Sequence, residues 1–148
     1  MGGLILPPSG FVYLDANAVI YIYVVEKIEP YSSFLTPLWP ACAAGQVSIV
    51  TSELTWLETL VKPLCDGNTA LEFLFRAFLT AREVELIPMT LPVWEQAARL
   101  RALGLKTPDA LHAAAGLAAG CTLFLTNDSI FQRVPGLPVT VLSAAINS

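Results

Sequence analysis

The feature that most constrains the fold is a strand, acid and helix pattern near the amino terminus, at residues 11–21. The run Phe-Val-Tyr-Leu is apolar and favours β-structure, and Asp15 separates it from a second apolar run. Strands of a parallel sheet are covered on both faces, so they appear as unbroken apolar runs, and ligands collect beyond their carboxyl ends. The pattern predicts a buried strand with Asp15 at its carboxyl end, followed by a helix. At that position an acid either caps the helix or holds a ligand.

The rest of the chain continues this alternation of strands and helices. We predict further strands at 47–51, 84–87, 122–126 and 139–142, and helices at 16–27, 37–45, 53–63, 69–82, 91–104 and 108–120. The predicted helix caps are Thr36, Ser52, Thr90 and Thr107, and Pro63 is expected to close the third helix. Alternating elements of this kind indicate an α/β fold, a three-layer sandwich whose central, mostly parallel sheet is flanked by helices.

Length and composition predict one domain with much hidden surface. At 148 residues the chain fits a single domain, here residues 11–148, preceded by an extension at 1–10. The chain is 55% hydrophobic and 14% charged, whereas an ordinary soluble domain carries about 25% charged residues. Part of its surface is therefore expected to be covered by a partner.

Several classes of protein are excluded by the same reading. The most apolar stretch, 110–125, contains His112 and small-residue breaks and is flanked by aspartates, so it predicts a buried helix and strand rather than a membrane span. No basic segment precedes the first apolar residues, which argues against a secretory signal and predicts a cytoplasmic protein. The three cysteines are odd in number and lack Cys-x-x-Cys spacing, so we expect reduced core residues.

The carboxylates carry the candidate chemistry. Three of the four aspartates, Asp15, Asp109 and Asp128, border strongly apolar surroundings at strand ends or a helix start. Among the glutamates, Glu58 is the exception because it falls in an apolar stripe formed by Leu54, Leu57 and Val61. Glu53 lies in the first turn of the same helix, where a carboxylate complements the helix dipole. Taken singly, each aspartate could be a helix cap or a turn residue.

Taken together, these acids require a counterion. In a parallel sheet they would meet at one edge, and two unit charges 4 Å apart cost on the order of 4 kcal/mol at an effective dielectric of 20. The cluster must therefore bind a cation or stay partly protonated. Hard oxygen ligands favour Mg²⁺ or Mn²⁺, which suit phosphodiester hydrolysis. The only histidine, His112, lies one turn after Asp109 and either approaches this cluster or is a satisfied helix residue.

The four acids also lie in motifs that resemble a known family. The segments 14–21, 51–60, 107–115 and 125–131 resemble, in order, the four motifs of PIN domains, specifically of VapC-type toxin ribonucleases. The register of the second segment puts Glu58, not Glu53, at the family's glutamate. The resemblance covers nearly the whole chain, although the first ten residues have no counterpart in the pattern and the hydrophobicity is high for the family.

This resemblance implies a metal-dependent endoribonuclease that cuts structured RNA with Mg²⁺ or Mn²⁺. It further implies a homodimer held inactive by a cognate antitoxin. Asp15, Glu58 and Asp109 would be metal ligands, and Asp128 would hold a second metal or the attacking water. Asn127 is either a weaker ligand or a turn residue.

The sequence has few basic residues that could contact nucleic acid. The net charge of −4 argues against a broad basic face, though acids around a metal lower the total without describing the rim. Arg99, Arg101 and Lys106 precede Asp109 and either reach phosphates near the site or are solvated charges. Trp56 either stacks a base or belongs to the core.

Two other functions remain open from the sequence. A phosphatase of the haloacid-dehalogenase type also has an aspartate after its first strand, but its chemistry needs a second aspartate two residues later, where this chain has Asn17. A binding protein with a catalytically silent acidic groove would receive an arginine or lysine of a partner. The presence of all four carboxylates favours activity.

Overall fold

The fold is built on a five-stranded, entirely parallel sheet. The computed structural model describes residues 3–23 and 29–147. The strands are β1 (Phe11–Leu14), β2 (Ser48–Ser52), β3 (Val84–Ile87), β4 (Leu123–Thr126) and β5 (Val139–Val141). Their order across the sheet is β3-β2-β1-β4-β5. The helices are α1 (Ala16–Tyr23), α2 (Tyr31–Leu35), α3 (Leu38–Ala43), α4 (Glu53–Asp66), α5 (Thr69–Leu79), α6 (Leu91–Ala102), α7 (Thr107–Ala119) and α8 (Leu142–Ile146), with a 3₁₀ helix at Ser129–Arg133.

The sheet separates two apolar cores, because successive side chains of a strand point to opposite faces. On β1, Val12 and Leu14 join one core, whereas Tyr13 joins the other. On β4, Leu125 and Phe124 divide in the same way. Helices α1 to α5 and α8 contribute to the first core, and α6 and α7 are the main helices of the second. The predicted three-layer α/β architecture is confirmed, and the sheet is parallel throughout.

Residues 3–10 lie against the body of the fold. Leu4 and Leu6 pack on the first core, and the Gln46 side chain donates to the Pro7 carbonyl at 2.8 Å. Gly10 has a φ of 103°, and a Cβ there would lie 2.5 Å from the Thr122 hydroxyl oxygen. Only glycine fits this close approach of the chain to the start of β4.

Several predicted element boundaries are wrong for identifiable reasons. Pro63 lies inside α4, which ends only where Gly67 adopts the left-handed conformation (φ 64°). The Thr36 hydroxyl donates to the Ser32 carbonyl instead of capping the next helix. Thr90 occupies the N-cap position of α6 without a side-chain cap hydrogen bond, and α7 already includes Thr107. The end predicted for the first helix, near residues 26–27, lies outside the described residues.

The structure also bears on the predictions about the cysteines and about a membrane span. Of the three free thiols, Cys121 is buried and Cys42 half-buried, but Cys65 is exposed near the end of α4, so the expectation of core cysteines is wrong for that residue. None of the helices in the described ranges is both long and apolar enough to cross a membrane.

Candidate active site

The site lies where the order of the strands reverses. Chain order runs outward from β1 in both directions, through β2 to β3 on one side and through β4 to β5 on the other. At such a switch point the connections on the two sides diverge and leave a crevice beyond the carboxyl ends of the two central strands. Asp15 directly follows β1, and Asn127 and Asp128 directly follow β4. The topology therefore brings distant acids of the chain to one crevice.

Asp15 is the most enclosed acid of the site, with 4% of its surface exposed. Its Oδ1 accepts a hydrogen bond from the Ala18 backbone N–H at 3.0 Å, which caps the start of α1. Its Oδ2 accepts one from the Thr126 hydroxyl at 2.5 Å. Burial raises the pKa of Asp15, and the charge of Glu58 adds to this, while the hydrogen bond from Thr126 and the proximity of His112 act in the opposite direction.

Glu58 reaches the crevice from α4, but the predicted apolar stripe of Leu54, Leu57 and Val61 is not the buried side of this helix. Leu57 and Val61 are 60% and 50% exposed. The buried side of α4 is instead formed by Thr55, Thr59, Leu60 and Pro63. The threonines can be buried because their hydroxyls are satisfied locally; the Thr59 hydroxyl, for example, donates to the Thr55 carbonyl at 2.8 Å. Glu53 accepts from the Met89 backbone N–H at 2.8 Å, in agreement with its predicted structural role.

His112 joins Glu58 to the sheet. Its side chain is 5% exposed, and its Nε2 lies 2.5 Å from Oε1 of Glu58. On its other side, Nδ1 lies 2.7 Å from the hydroxyl oxygen of Tyr13, which is fully buried. Burial raises the pKa of Tyr13 far above its usual range, so the phenol keeps its proton. His112 was expected either to approach the acidic cluster or to be a helix residue with its hydrogen bonds satisfied. It does both, because each ring nitrogen has a partner and the residue lines the depression.

Asp109 and Asp128 form the outer part of the site. Asp109 lies in the first turn of α7 and is half-buried. Burial raises the pKa of Asp109, and the negative charges of Asp128 and Glu58 raise it further, against His112 and Lys106. Asp128 is exposed and caps the 3₁₀ helix, because its Oδ1 accepts from the Ile130 backbone N–H at 3.0 Å. Its own N–H donates to the Thr126 hydroxyl oxygen at 3.0 Å, so Thr126 links it to Asp15.

The structure brings all four predicted acids to one depression of about 70 Å³. Its other lining residues are Ala16, Asn17, His112 and Phe131. The donor set is mainly carboxylate oxygen, which fits Mg²⁺ or Mn²⁺ better than a softer metal. As the side chains stand, no three His, Cys, Asp or Glu residues within 3–23 and 29–147 are close enough together to hold one ion. The chemistry of the donors fits a divalent ion, whose binding would require the carboxylates to approach one another.

The remaining predicted site residues lie outside the depression. Asn127 uses both ends of its amide internally, since Oδ1 accepts from the Ser143 N–H and Nδ2 donates to the Tyr21 hydroxyl, which favours the structural reading. Arg99 pairs with Glu95 at 3.2 Å on the surface of α6. Arg101 donates to the Leu105 carbonyl.

Two further residues considered from the sequence have clearer positions. Lys106 is exposed, directly precedes α7 and is close enough to Asp109 to lower its pKa. Trp56 packs against the first core, with the Arg76 guanidinium 5.5 Å from its ring centre, so it belongs to the core.

Sequence reasoning missed Tyr13, Thr126 and Phe131. A signal existed for Tyr13, because residues i and i+2 of a strand share a face and Tyr13 precedes Asp15 by two. Thr126 immediately precedes the fourth acidic motif, so its position at the end of β4 was also visible. No local pattern indicates Phe131, whose place depends on the 3₁₀ turn after β4.

A parallel α/β domain with an acidic crevice at its switch point belongs to the class of open-sheet proteins that bind ligands beyond the carboxyl ends of their strands. The sequence profile of the PIN domain family matches residues 12–137, most of the chain, and the chain belongs to this family. PIN domains as a class are nucleases and generally use divalent metal ions.

Solved structures share this fold at low sequence identity. A chain in the VapBC2 complex from Rickettsia felis, bound to a DNA fragment from its promoter, is 19% identical, with a TM-score of 0.69 over 88% of this chain and 97% of the other. A chain in a toxin-antitoxin complex from Klebsiella pneumoniae is 22% identical, with a TM-score of 0.64 over 87% and 95%. No curated protein matches the chain in sequence.

The raised pKa of Asp109 predicts a pH-dependent stability in metal-free buffer. Because its folded-state pKa lies above its unfolded value, the stability associated with this group is present at low pH and is lost as pH rises through the folded pKa. We expect Asp109→Asn to raise the melting temperature at pH 7 and to leave it unchanged near pH 3, measured by calorimetry with a chelator. A gain of 1 kcal/mol would appear as roughly 2–4 °C.

The matched control is Asp66→Asn. Asp66 is exposed and pairs with Lys62 at 3.0 Å on the surface of α4. Removing its charge is expected to leave the melting temperature unchanged or slightly lower at pH 7. An equal gain in both variants would contradict a specific cost of the Asp109 charge from its burial and from Asp128.

Proposed function

We propose that this chain is a metal-dependent endoribonuclease that hydrolyses RNA phosphodiesters and acts as the toxin of a toxin-antitoxin pair in the cytoplasm. The observation that carries the proposal is the convergence of four carboxylates, from four separate segments of the chain, on one depression at the switch point of the sheet. Membership of the PIN domain family supports the nuclease class. The two similar toxin-antitoxin structures support the toxin role. Free thiols at all three cysteines are consistent with a reducing compartment.

Asp15, Glu58 and Asp109 are the proposed ligands of a Mg²⁺ or Mn²⁺ ion, and Asp128 holds a second ion or orients the attacking water. A bound divalent ion would supply an activated water and would stabilise the leaving oxygen. The chain contributes a fixed inner acid, Asp15, whose two oxygens are held by Ala18 and Thr126. It also contributes an outer pair, Asp109 and Asp128, whose mutual repulsion favours cation binding. Asn127 is proposed to support this edge rather than to bind metal.

Among the basic residues, Lys106 is the proposed phosphate contact. It is exposed and electrostatically coupled to Asp109, so an RNA backbone entering the depression would pass close to it. Arg99 and Arg101 already interact with Glu95 and the Leu105 carbonyl. They are proposed as secondary contacts that add to the salt dependence of binding.

The proposed partners are a second copy of the chain and an antitoxin. Leu57, Val61 and Leu64 follow one side of α4 at helical spacing and are 50–60% exposed. We call these three residues the α4 apolar stripe. An exposed apolar face of this kind is typical of an interaction surface. Leu57 of the stripe directly precedes Glu58 in α4, so we expect a subunit bound there to lie near the acidic depression.

One specific observation favours a catalytically silent binding module as the second candidate. Both oxygens of Asp15 and one oxygen of Glu58 already accept hydrogen bonds inside the protein. Such an acidic depression could receive an arginine or lysine of a partner without cutting RNA. A haloacid-dehalogenase-type phosphatase is disfavoured, because Asn17, not an acid, lines the depression beside Asp15.

A pair of glutamates on α4 tests the nuclease. We expect Glu58→Gln to reduce cleavage of structured RNA in Mg²⁺ or Mn²⁺ by more than about 100-fold, above the 10–100-fold typical of outer-shell partners of a metal site. Glu53→Gln is the matched control, because an amide oxygen can still accept from the Met89 N–H outside the depression. Cleavage would be followed by gel electrophoresis of end-labelled RNA, after both variants give the wild-type circular dichroism spectrum.

The same pair tests the toxin role in cells. Expression of the wild type and of Glu53→Gln is expected to arrest growth, whereas Glu58→Gln is not. Growth unaffected by the wild type would contradict the toxin assignment. Wild-type protein that binds Mn²⁺ but cleaves no RNA would support the binding module instead.

Lys106→Ala tests the phosphate contact. Loss of one contact is expected to raise KM for RNA with little change in kcat, and to reduce the slope of log affinity against log salt by about 0.7–0.9. Lys62→Ala is the control, because Lys62 pairs with Asp66 at the far end of α4. Equal effects of the two substitutions would indicate general charge attraction and contradict a contact at Lys106.

Val61→Lys tests the α4 apolar stripe. By light scattering, the wild type is expected to have twice the chain mass of 15.9 kDa, and Val61→Lys to have the mass of one chain. Leu91→Lys places the same charge at an apolar side chain on α6 that is 80% exposed, and this control should stay dimeric. A monomeric wild type would contradict the homodimer.

A further inference from the structure

A buried chain of three side chains leads from the sheet to the acidic depression. The Tyr13 hydroxyl lies 2.7 Å from Nδ1 of His112, and Nε2 of His112 lies 2.5 Å from Oε1 of Glu58. Tyr13 comes from β1, His112 from α7 and Glu58 from α4. Three elements that are far apart in sequence therefore meet through one imidazole ring.

The proton positions follow from the partners. A carboxylate only accepts hydrogen bonds, so Nε2 of His112 carries the hydrogen that points to Glu58. Tyr13, a protonated phenol, can donate to Nδ1 of a neutral ring, which leaves the hydrogen on Nε2. The Tyr13 ring is itself fixed, because it stacks on Phe124 at a centroid distance of 4.7 Å with an interplanar angle of 3°.

The arrangement leaves one oxygen of Glu58 available. Oε1 is held by His112, and in the described part of the chain Oε2 accepts no hydrogen bond. The Glu58 side chain is 30% exposed and lines the depression. A glutamate side chain that was not held in this way would sample several rotamers, and fixing it on metal binding would cost side-chain entropy.

We propose that His112, oriented by Tyr13, is a positioning residue that holds one oxygen of Glu58 and thereby presents the other to the divalent ion of the acidic depression. This inference rests on the proposed function for its metal but goes beyond it, because it assigns a role to two residues outside the four acids. It differs from a catalytic histidine, which would act on the reacting atoms, and from a purely structural one, which would affect only folding.

Two amide substitutions separate these roles. A glutamine amide reaches the place of Nε2, whereas an asparagine amide reaches only the place of Nδ1. We expect His112→Asn to weaken Mn²⁺ binding, measured by electron paramagnetic resonance of free Mn²⁺, by 10–100-fold. We expect cleavage to recover at saturating Mn²⁺. His112→Gln should restore Mn²⁺ affinity to within about threefold of the wild type, and Tyr13→Phe should lie between the two.

The other outcomes overturn the proposal. Unchanged Mn²⁺ affinity in His112→Asn with a lower kcat at saturating metal would make His112 a catalytic residue. A lower melting temperature with unchanged Mn²⁺ affinity and unchanged kcat would make it a structural one. Equal losses in His112→Asn and His112→Gln would show that the Nε2 position does not matter.

A second measurement is independent of metal and activity. His112 is the only histidine of the chain, so all imidazole signals in a ¹⁵N spectrum belong to it, and couplings to the carbon-bound ring hydrogens distinguish Nδ1 from Nε2. In metal-free buffer at pH 8 we expect the hydrogen fixed on Nε2, and a mixture of tautomers in Glu58→Gln or Tyr13→Phe. A tautomer mixture in the wild type would overturn the positioning role, whereas failure of the proposed function would appear separately, as wild-type protein that neither binds Mn²⁺ nor cleaves RNA.

Discussion

The main physical constraint on this structure is the mutual repulsion of the carboxylates that its topology brings to one crevice. The switch between β1 and β4 directs Asp15 and Asp128 to one crevice, and the neighbouring helices add Glu58 and Asp109. Two such charges would repel each other by on the order of 4 kcal/mol if they came within 4 Å at an effective dielectric of 20, a large part of the ~5–15 kcal/mol that stabilises a domain. The protein offsets this repulsion in different ways for its inner and outer acids.

The inner acids are compensated by hydrogen bonds. Asp15 receives an N–H and a hydroxyl, and Glu58 receives the imidazole of His112. The two donors to Asp15 favour its charged form, yet burial still raises the pKa of Asp15. The charges of the outer acids are screened by solvent, because Asp128 is exposed and Asp109 is half-buried. Lys106 also lies close enough to Asp109 to favour its charged form. Asp15 and Glu58 are therefore held in place by hydrogen bonds, whereas Asp109 and Asp128 are freer to move. This difference suits a site whose carboxylates must approach one another to bind a cation.

The sequence predicted the fold and the acids better than it predicted the contacts between them. The alternation of strands and helices is enough to predict the layered α/β fold. The position of Asp15 after β1 can be predicted because this acid interrupts an apolar run. The apolar stripe predicted around Glu58 is wrong, because the buried side of α4 carries Thr55 and Thr59 rather than Leu57 and Val61. The Thr59 hydroxyl bonds to the backbone of α4 and the Thr55 hydroxyl pairs with that of Thr51 on β2, and hydrophobic periodicity does not register such hydrogen bonds. The link through His112 depends on three separate elements, so no local pattern could establish it.

The composition of α7 explains why one histidine can make both contacts. From Ala113 to Gly116 the helix presents only small residues and is buried against the sheet. A Cβ on Gly116 would lie 2.9 Å from the Phe124 ring, so even alanine would force the two apart. This close approach brings His112 within hydrogen-bond distance of Tyr13 on β1. Asp109 lies one turn earlier on the same helix, so α7 supplies one acid of the cluster and the group that holds another. The small residues and the acidic site are therefore parts of one arrangement, in which close helix-to-sheet packing sets the position of the chemistry.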